Sequence, residues 1–247
     1  MYEPVSTLTN LNADSSGAND PTHEAVLSHL TGMTAVLEQL SGEAGRLSSW
    51  SRQLAACLVG GGRVLAAGNG GSAAEAQHLT AELVGRYDGD RRPFSAIALH
   101  AETSSLTAIA NDYGYDTAFA RQVLAHARPG DIVVLLSGSG RSRNLLRAAE
   151  AAREAGAVSW AMTGPGPNPL AEVCDDALTL PGACGHVQEG HLLALHALCC
   201  GFEEQVRLLD AQAEAVGSEA DELERDALKS GPLESGPLES AELEAVS

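Results

Sequence analysis

Hydrophobic positions along this chain follow two rhythms. Between His23 and Leu40, Val26, Leu27, Leu30, Met33, Leu37 and Leu40 recur at helical spacing. A second helix is predicted over 43–59, ending at the Gly60-Gly61-Gly62 stop. These two read as packing or oligomerisation helices. Beyond them, short apolar runs alternate with helical stretches: RVLAA (63–67), SAIAL (95–99), DIVVLL (131–136), VSWAM (158–162) and DALTL (176–180). Strands that read as continuous apolar runs, separated by helices, predict an α/β fold with a parallel sheet covered on both faces. A final helix is predicted over 187–212.

Composition narrows this picture. With 247 residues, 44% of them hydrophobic, the chain can bury one sizeable core, and a single domain over 21–212 is expected. Residues 1–20, rich in Ser, Asn, Asp and Gly, are expected to be a disordered tail. So is the acidic end, 213–247, where SGPLE occurs twice in tandem. The net charge of −18 is concentrated there: from Glu203 onward thirteen acidic residues face only Arg207, Arg225 and Lys229, a net of −10. The body is therefore only mildly acidic, compatible with an anionic ligand, and no basic nucleic-acid footprint exists. Neither a run of about 20 apolar residues nor a basic-then-apolar leader is present, so a cytoplasmic protein away from membranes is expected. Five cysteines without a C-x-x-C pair speak against a disulfide framework and a structural zinc site.

Chemistry is expected first at two loops. After the first strand, Gly68-Asn69-Gly70-Gly71-Ser72 opens a helix predicted over 73–87. Glycines let the backbone approach an anion, and a helix N-terminus offers unpaired N–H groups with partial positive charge. The run also satisfies the dinucleotide fingerprint G-x-G-x-x-A. That fingerprint wants an acidic residue about 20 positions on, whereas the first candidate at the end of the second strand is Glu102. After the third strand, Ser137-Gly138-Ser139-Gly140-Arg141-Ser142 again leads into a helix, and its three hydroxyls can donate to phosphate oxygens. Ligands of parallel sheets bind outside the carboxyl ends of the strands, where both loops would lie.

Two helices carry candidate acid–base groups. His78, Glu82 and Arg86 recur every fourth residue, within an arc of about 80°, either as a solvated face with i,i+4 pairing or as a functional one. On the last helix Gln188 and His196, eight apart, share a stripe, while His191 lies about 140° round from His196. Together His78, Glu82, Gln188 and His196 form an N/O set suited to a divalent transition ion, and equally to acid–base work.

GNGGSAAEAQHLTAELVGR, LTAIANDYGYD, FARQV, GDIVVLLSGSGRSRN and VQEGHLLALHALC, in that order, closely resemble the sedoheptulose 7-phosphate isomerases of the sugar isomerase (SIS) superfamily, over roughly residues 25–207. The resemblance implies a single SIS domain with a flavodoxin-like five-stranded parallel sheet, a homotetramer with sites between subunits, and an aldose–ketose isomerisation through an enediol, with sedoheptulose 7-phosphate giving a D-glycero-D-heptose 7-phosphate, the manno form. By matching position it implies substrate contacts from Asn69, Gly70, Gly71, Ser72, Glu82, Arg86, Asn111, Asp112 and Gln188, and a phosphate site from Ser137, Gly138, Ser139 and Ser142. It further implies zinc on His78, Glu82, Gln188 and His196, and Glu82 with His196 as catalytic base and acid. Gly138, Arg141 and Arg143 depart from the S-T-S-G-N-S-P-N that the serine loop commonly reads in these enzymes, as does Cys184 from a Thr before the last helix. A non-catalytic phosphosugar- or protein-binding module like the DnaA initiator-associating protein is the alternative, but such proteins lack the Glu and His that this chain keeps at 82 and 196.

Overall fold

The computed structural model describes residues 20–229. The predicted tail at 1–20 and the tandem repeat therefore lie almost entirely outside the described residues. The five apolar runs are strands: β1 (Val64–Gly68), β2 (Ala96–Ala98), β3 (Ile132–Ser137), β4 (Val158–Thr163) and β5 (Asp176–Thr179). They pair in parallel in the order β2-β1-β3-β4-β5, with Val64 opposite Ala96 and Ile132, Ile132 opposite Val158, and Trp160 opposite Asp176. This is the flavodoxin-like order, in which the chain's direction of winding reverses between β1 and β3. The loops leaving those two strands flank the reversal.

Eight α-helices and one 3-10 turn (Tyr115–Thr117) complete the described chain: α1 (Pro21–Gly42), α2 (Ala44–Val59), α3 (Gly71–Val84), α4 (Thr103–Tyr113), α5 (Ala118–His126), α6 (Arg143–Glu154), α7 (Pro169–Val173) and α8 (Cys184–Lys229). The apolar runs have no polar alternation because every residue of β1 and β3 is buried, with helices on either face. On one face Leu65, Ala67, Val133, Leu135 and Ala161 pack with Phe119 and Val123 of α5 and with Leu145 and Ala148 of α6. On the other, Trp160 stacks on Trp50 of α2 with ring centroids 4.7 Å apart, and Trp50 Nε1 donates to Asp176 Oδ2 at 2.7 Å. Both indoles are essentially buried. Trp160→Ala is therefore expected to lower stability by about 3–5 kcal/mol, readable as a shift of the urea midpoint.

The last helix departs from expectation. It runs to Lys229, past the predicted end at 212, and the chain divides into two units, up to Gln205 and from Val206. The acidic composition and the tandem SGPLE repeat predict a disordered tail from 213. Yet 211–229 is rich in Ala, Glu and Leu, whose helix propensity carries the helix through Gly217. Among the described residues no helix is long and apolar enough to cross a membrane.

Candidate active site

Glycine at Gly68 is dictated by close approach: a Cβ there would collide with the carbonyl of Ser72. Gly70 sits at φ 58°, which favours glycine. Helix α3 then starts without any side-chain cap; the N–H of Ala73 bonds the Gly70 carbonyl, and the N–H groups of Gly71 and Ser72 can meet an anion. The side chain of Asn69 points elsewhere. Its amide exchanges two hydrogen bonds with Asn144 of α6, Nδ2 to Oδ1 at 3.1 Å and Nδ2 of Asn144 to its own Oδ1 at 2.9 Å. Tyr115 Oη donates to the same Oδ1 at 2.9 Å. Asn69 thus ties the β1 loop to the start of α6. Asn144 and Tyr115 were not singled out from the sequence; only their hydrogen-bonding types hinted at this.

The serine loop is organised by its own hydroxyls. Ser137 Oγ accepts from the N–H of Gly140 at 3.1 Å and lies 3.4 Å from Ser142 Oγ, and Ser139 Oγ accepts from the N–H of Arg141 at 3.3 Å. Helix α6 also begins without a side-chain cap hydrogen bond. Two of the departures noted above meet here: a Cβ at Gly138 would stand 3.3 Å from Cys184 Sγ. A side chain at 138 would therefore lie against that sulfur. Arg143 Nε pairs with Asp116 Oδ2 at 3.1 Å on the surface.

Helices α3 and α8 run side by side in the same direction, as their paired contacts show. Gly71 faces Gln188, and a Cβ on Gly71 would come within 2.6 Å of the amide Nε2. One turn on, buried His191 Nδ1 lies 3.7 Å from Glu75 Oε2. Next, His78 Nε2 lies 2.9 Å from His196 Nε2 and 3.0 Å from Glu82 Oε1. Further on, Glu203 accepts from the N–H of Tyr87 at 3.0 Å. The ring of Tyr87 packs against His196, centroids 5.4 Å apart.

One ligand atom from each of His78, Glu82 and His196 falls within 4.8 Å of the others. The carboxylate at 82 and the imidazole at 196 therefore converge within one chain. Gln188 does not join them at that point; its side chain lies against Gly71, seven residues or about 10 Å of helix before His78. Arg86 is exposed and donates to the carbonyl of Asp88 at 2.6 Å. Asn111 and Asp112, exposed on the last turn of α4, bond to each other at 2.8 Å, four and three residues before Tyr115. The arrangement provides an anion cradle at the switch point and, two helical turns away, a carboxylate and two imidazoles.

Comparison with known proteins agrees with this fold. The SIS domain family matches residues 29–164. A phosphoheptose isomerase of Streptomyces coelicolor is 55% identical over 199 residues, covering 80% of this chain and 86% of that protein. A phosphoheptose isomerase structure from Neisseria gonorrhoeae superposes with a TM-score of 0.69 at 35% identity, covering 74% of this chain and 99% of that one. One from Francisella tularensis gives 0.70 at 30% identity, covering 75% and 100%. With its strand order, its two loops at the switch point and relatives of this similarity, the chain belongs to the SIS domain family and, within it, to the phosphoheptose isomerases.

Proposed function

We propose that this chain is an aldose–ketose isomerase that converts sedoheptulose 7-phosphate to D-glycero-D-manno-heptose 7-phosphate. The observation that carries the reading is the meeting of Glu82 with His78 and His196 beside two uncapped helix N-termini. A seven-carbon sugar phosphate has its charge at one end and its reacting carbons at the other. A cradle and an acid–base cluster about 10 Å apart along α3 suit such a molecule.

The phosphate lies against the hydroxyls of Ser137, Ser139 and Ser142, with Asn69 bracing the two loops. Glu82 takes a proton from C1, beside the C2 carbonyl. His196 donates to O2, giving an enediol across C1 and C2. Return of a proton to C2, with loss of the O1 proton, yields the aldose. Keeping Glu82 near His78 and His196 favours this reading over a binding module without catalysis.

The donor set also suits a divalent ion, zinc in this reading, because two imidazole nitrogens and a carboxylate oxygen converge. His78, Glu82 and His196 would hold it; Gln188, the fourth donor that the family pattern implies, lies against Gly71 instead. Such an ion would supply electrophilic stabilisation of the substrate oxygens.

The reading extends to a cytoplasmic homotetramer with sites between subunits. Val26, Leu27, Leu30 and Leu37 of α1 are 44–63% exposed, and Leu193 of α8 is 42% exposed. A groove of about 510 Å³ between these helices is lined by Leu37, Leu40, Leu47, Leu193, Ala194 and Ala197, which is the apolar surface an oligomer would cover. Assay of the purified protein against five-, six- and seven-carbon ketose phosphates tests the substrate. The heptulose phosphate is expected to turn over fastest; conversion of none of them would remove the enzyme reading.

A further inference from the structure

Beyond the catalytic cluster, α3 and α8 are joined once more. Arg91, in the loop after α3, and Glu203, on α8, form an ion pair of 3.3 Å with side chains only 8% and 15% exposed. Arg91 Nη2 donates to the carbonyl of Glu82 itself at 2.6 Å. Its Nη1 donates to the carbonyls of Leu83, Gly85 and Arg92 at 3.1, 3.4 and 3.0 Å. The guanidinium also lies over the rings of Phe94 and Phe202, at 5.2 and 5.4 Å. It thereby takes up carbonyls that the end of α3 leaves without helical partners.

Glu203 binds the other side of the same turn. It accepts from the N–H groups of Tyr87, Asp88 and Gly89 at 3.0, 3.2 and 3.2 Å. Burial pushes its carboxyl up, but these N–H groups together with Arg91 outweigh that and hold it below the usual carboxylate range. Tyr87, fixed by this contact, rests its ring on His196. Glu203 stands seven residues beyond His196, within about 20° of the same stripe of α8.

A buried ion pair is an inefficient source of stability, because apolar side chains of similar volume often serve as well. Its contacts here are with the backbone of Glu82 and with the residue packed on His196, which is a geometric task. We infer that Arg91 and Glu203 are positioning residues that clamp the end of α3 to α8 and so set the separation between the Glu82 carboxylate and the His196 imidazole. The catalytic consequence rests on the isomerase reading; the geometric one does not.

The test compares Arg91→Met, Arg91→Lys and Glu203→Gln with Asp131→Asn. Buried Asp131 pairs with the half-buried Arg63 (Nε to Oδ2, 3.3 Å) at the opposite, amino-terminal edge of the sheet. Small displacements of catalytic groups are costly, so Arg91→Met and Glu203→Gln should lower kcat by about tenfold or more with KM changed less than about threefold. Arg91→Lys, which keeps the charge but loses the fork, should recover part of the loss. Asp131→Asn should depress the melting temperature comparably while keeping kcat near wild type.

In histidine-labelled protein, the ring nitrogen resonances of His78 and His196 should move in Arg91→Met and Glu203→Gln and stay in place in Asp131→Asn. That readout needs no turnover. If the wild type converts no ketose phosphate, the isomerase reading falls while the resonances still decide the clamp. Should Arg91→Met fail to fold, Arg91→Lys and Glu203→Gln carry the comparison. Unmoved resonances, or a kcat matching that of Asp131→Asn, would overturn the inference.

Discussion

Glu82→Gln is expected to lower turnover of sedoheptulose 7-phosphate by about 10²–10⁴-fold, the contribution of a well-placed general acid or base. The substitution keeps the volume and one acceptor oxygen, so the contact with His78 at 3.0 Å can persist as a hydrogen bond and the fold should hold. What it removes is a group able to accept a proton from carbon. His196→Ala should cost a similar factor, and here the melting temperature must be followed as well, because the Tyr87 ring loses its neighbour. The two losses should not multiply in the double variant, since acid and base act on one proton-transfer sequence and each is of little use without the other. Steady-state kinetics with equal oligomer content across variants checks this. Near wild-type kcat in either single variant would assign the chemistry to other groups.

Metal removal is expected to have the second largest effect. Stripping the protein with a chelator should lower turnover at least about tenfold, because Lewis-acid stabilisation of substrate oxygens is worth several kcal/mol. Adding back zinc should restore it. Two further measurements do not depend on turnover: elemental analysis of metal-replete protein should give about one divalent ion per site, and the ion should raise the melting temperature by mass action on the folded state. His78→Ala should abolish both. A metal-replete preparation without stoichiometric ion would leave His78, Glu82 and His196 as an acid–base cluster alone.

Much of this architecture is legible before any coordinates, for identifiable reasons. RVLAA, DIVVLL and VSWAM announce themselves because a strand buried on both faces has no polar alternation, and each observed strand starts within one residue of its run. The loops at 68–72 and 137–142 are legible because close backbone approach and left-handed φ at Gly70 and Gly140 demand glycine. The His78–Glu82 pairing follows from helical spacing alone. That α3 and α8 lie parallel, with His78 meeting His196 across 118 residues of sequence, does not; periodicity reports which face a residue takes but not what that face meets.

The same limit hid the clamp. DGDRR at 88–92 reads as a solvated turn, and nothing local says that Arg91 is buried on two phenyl rings with its partner 112 residues on. Arg86 completes an i,i+4 series with His78 and Glu82 in sequence, but α3 ends at Val84 and its guanidinium donates to the Asp88 carbonyl beyond the helix end. The extent of α8 was obscured because a helix sustained by propensity rather than by an apolar stripe carries no periodic signal.

In the proposed mechanism Glu82 and His196 move a proton between neighbouring carbons of a phosphorylated heptose. The most direct measurement is NMR of metal-replete wild-type protein incubated with sedoheptulose 7-phosphate in D₂O, in parallel with Glu82→Gln. An aldose 7-phosphate is expected to accumulate with deuterium at C2, and the variant to slow product formation and label incorporation together. Wild-type protein that forms no aldose and exchanges no carbon-bound proton would contradict the mechanism.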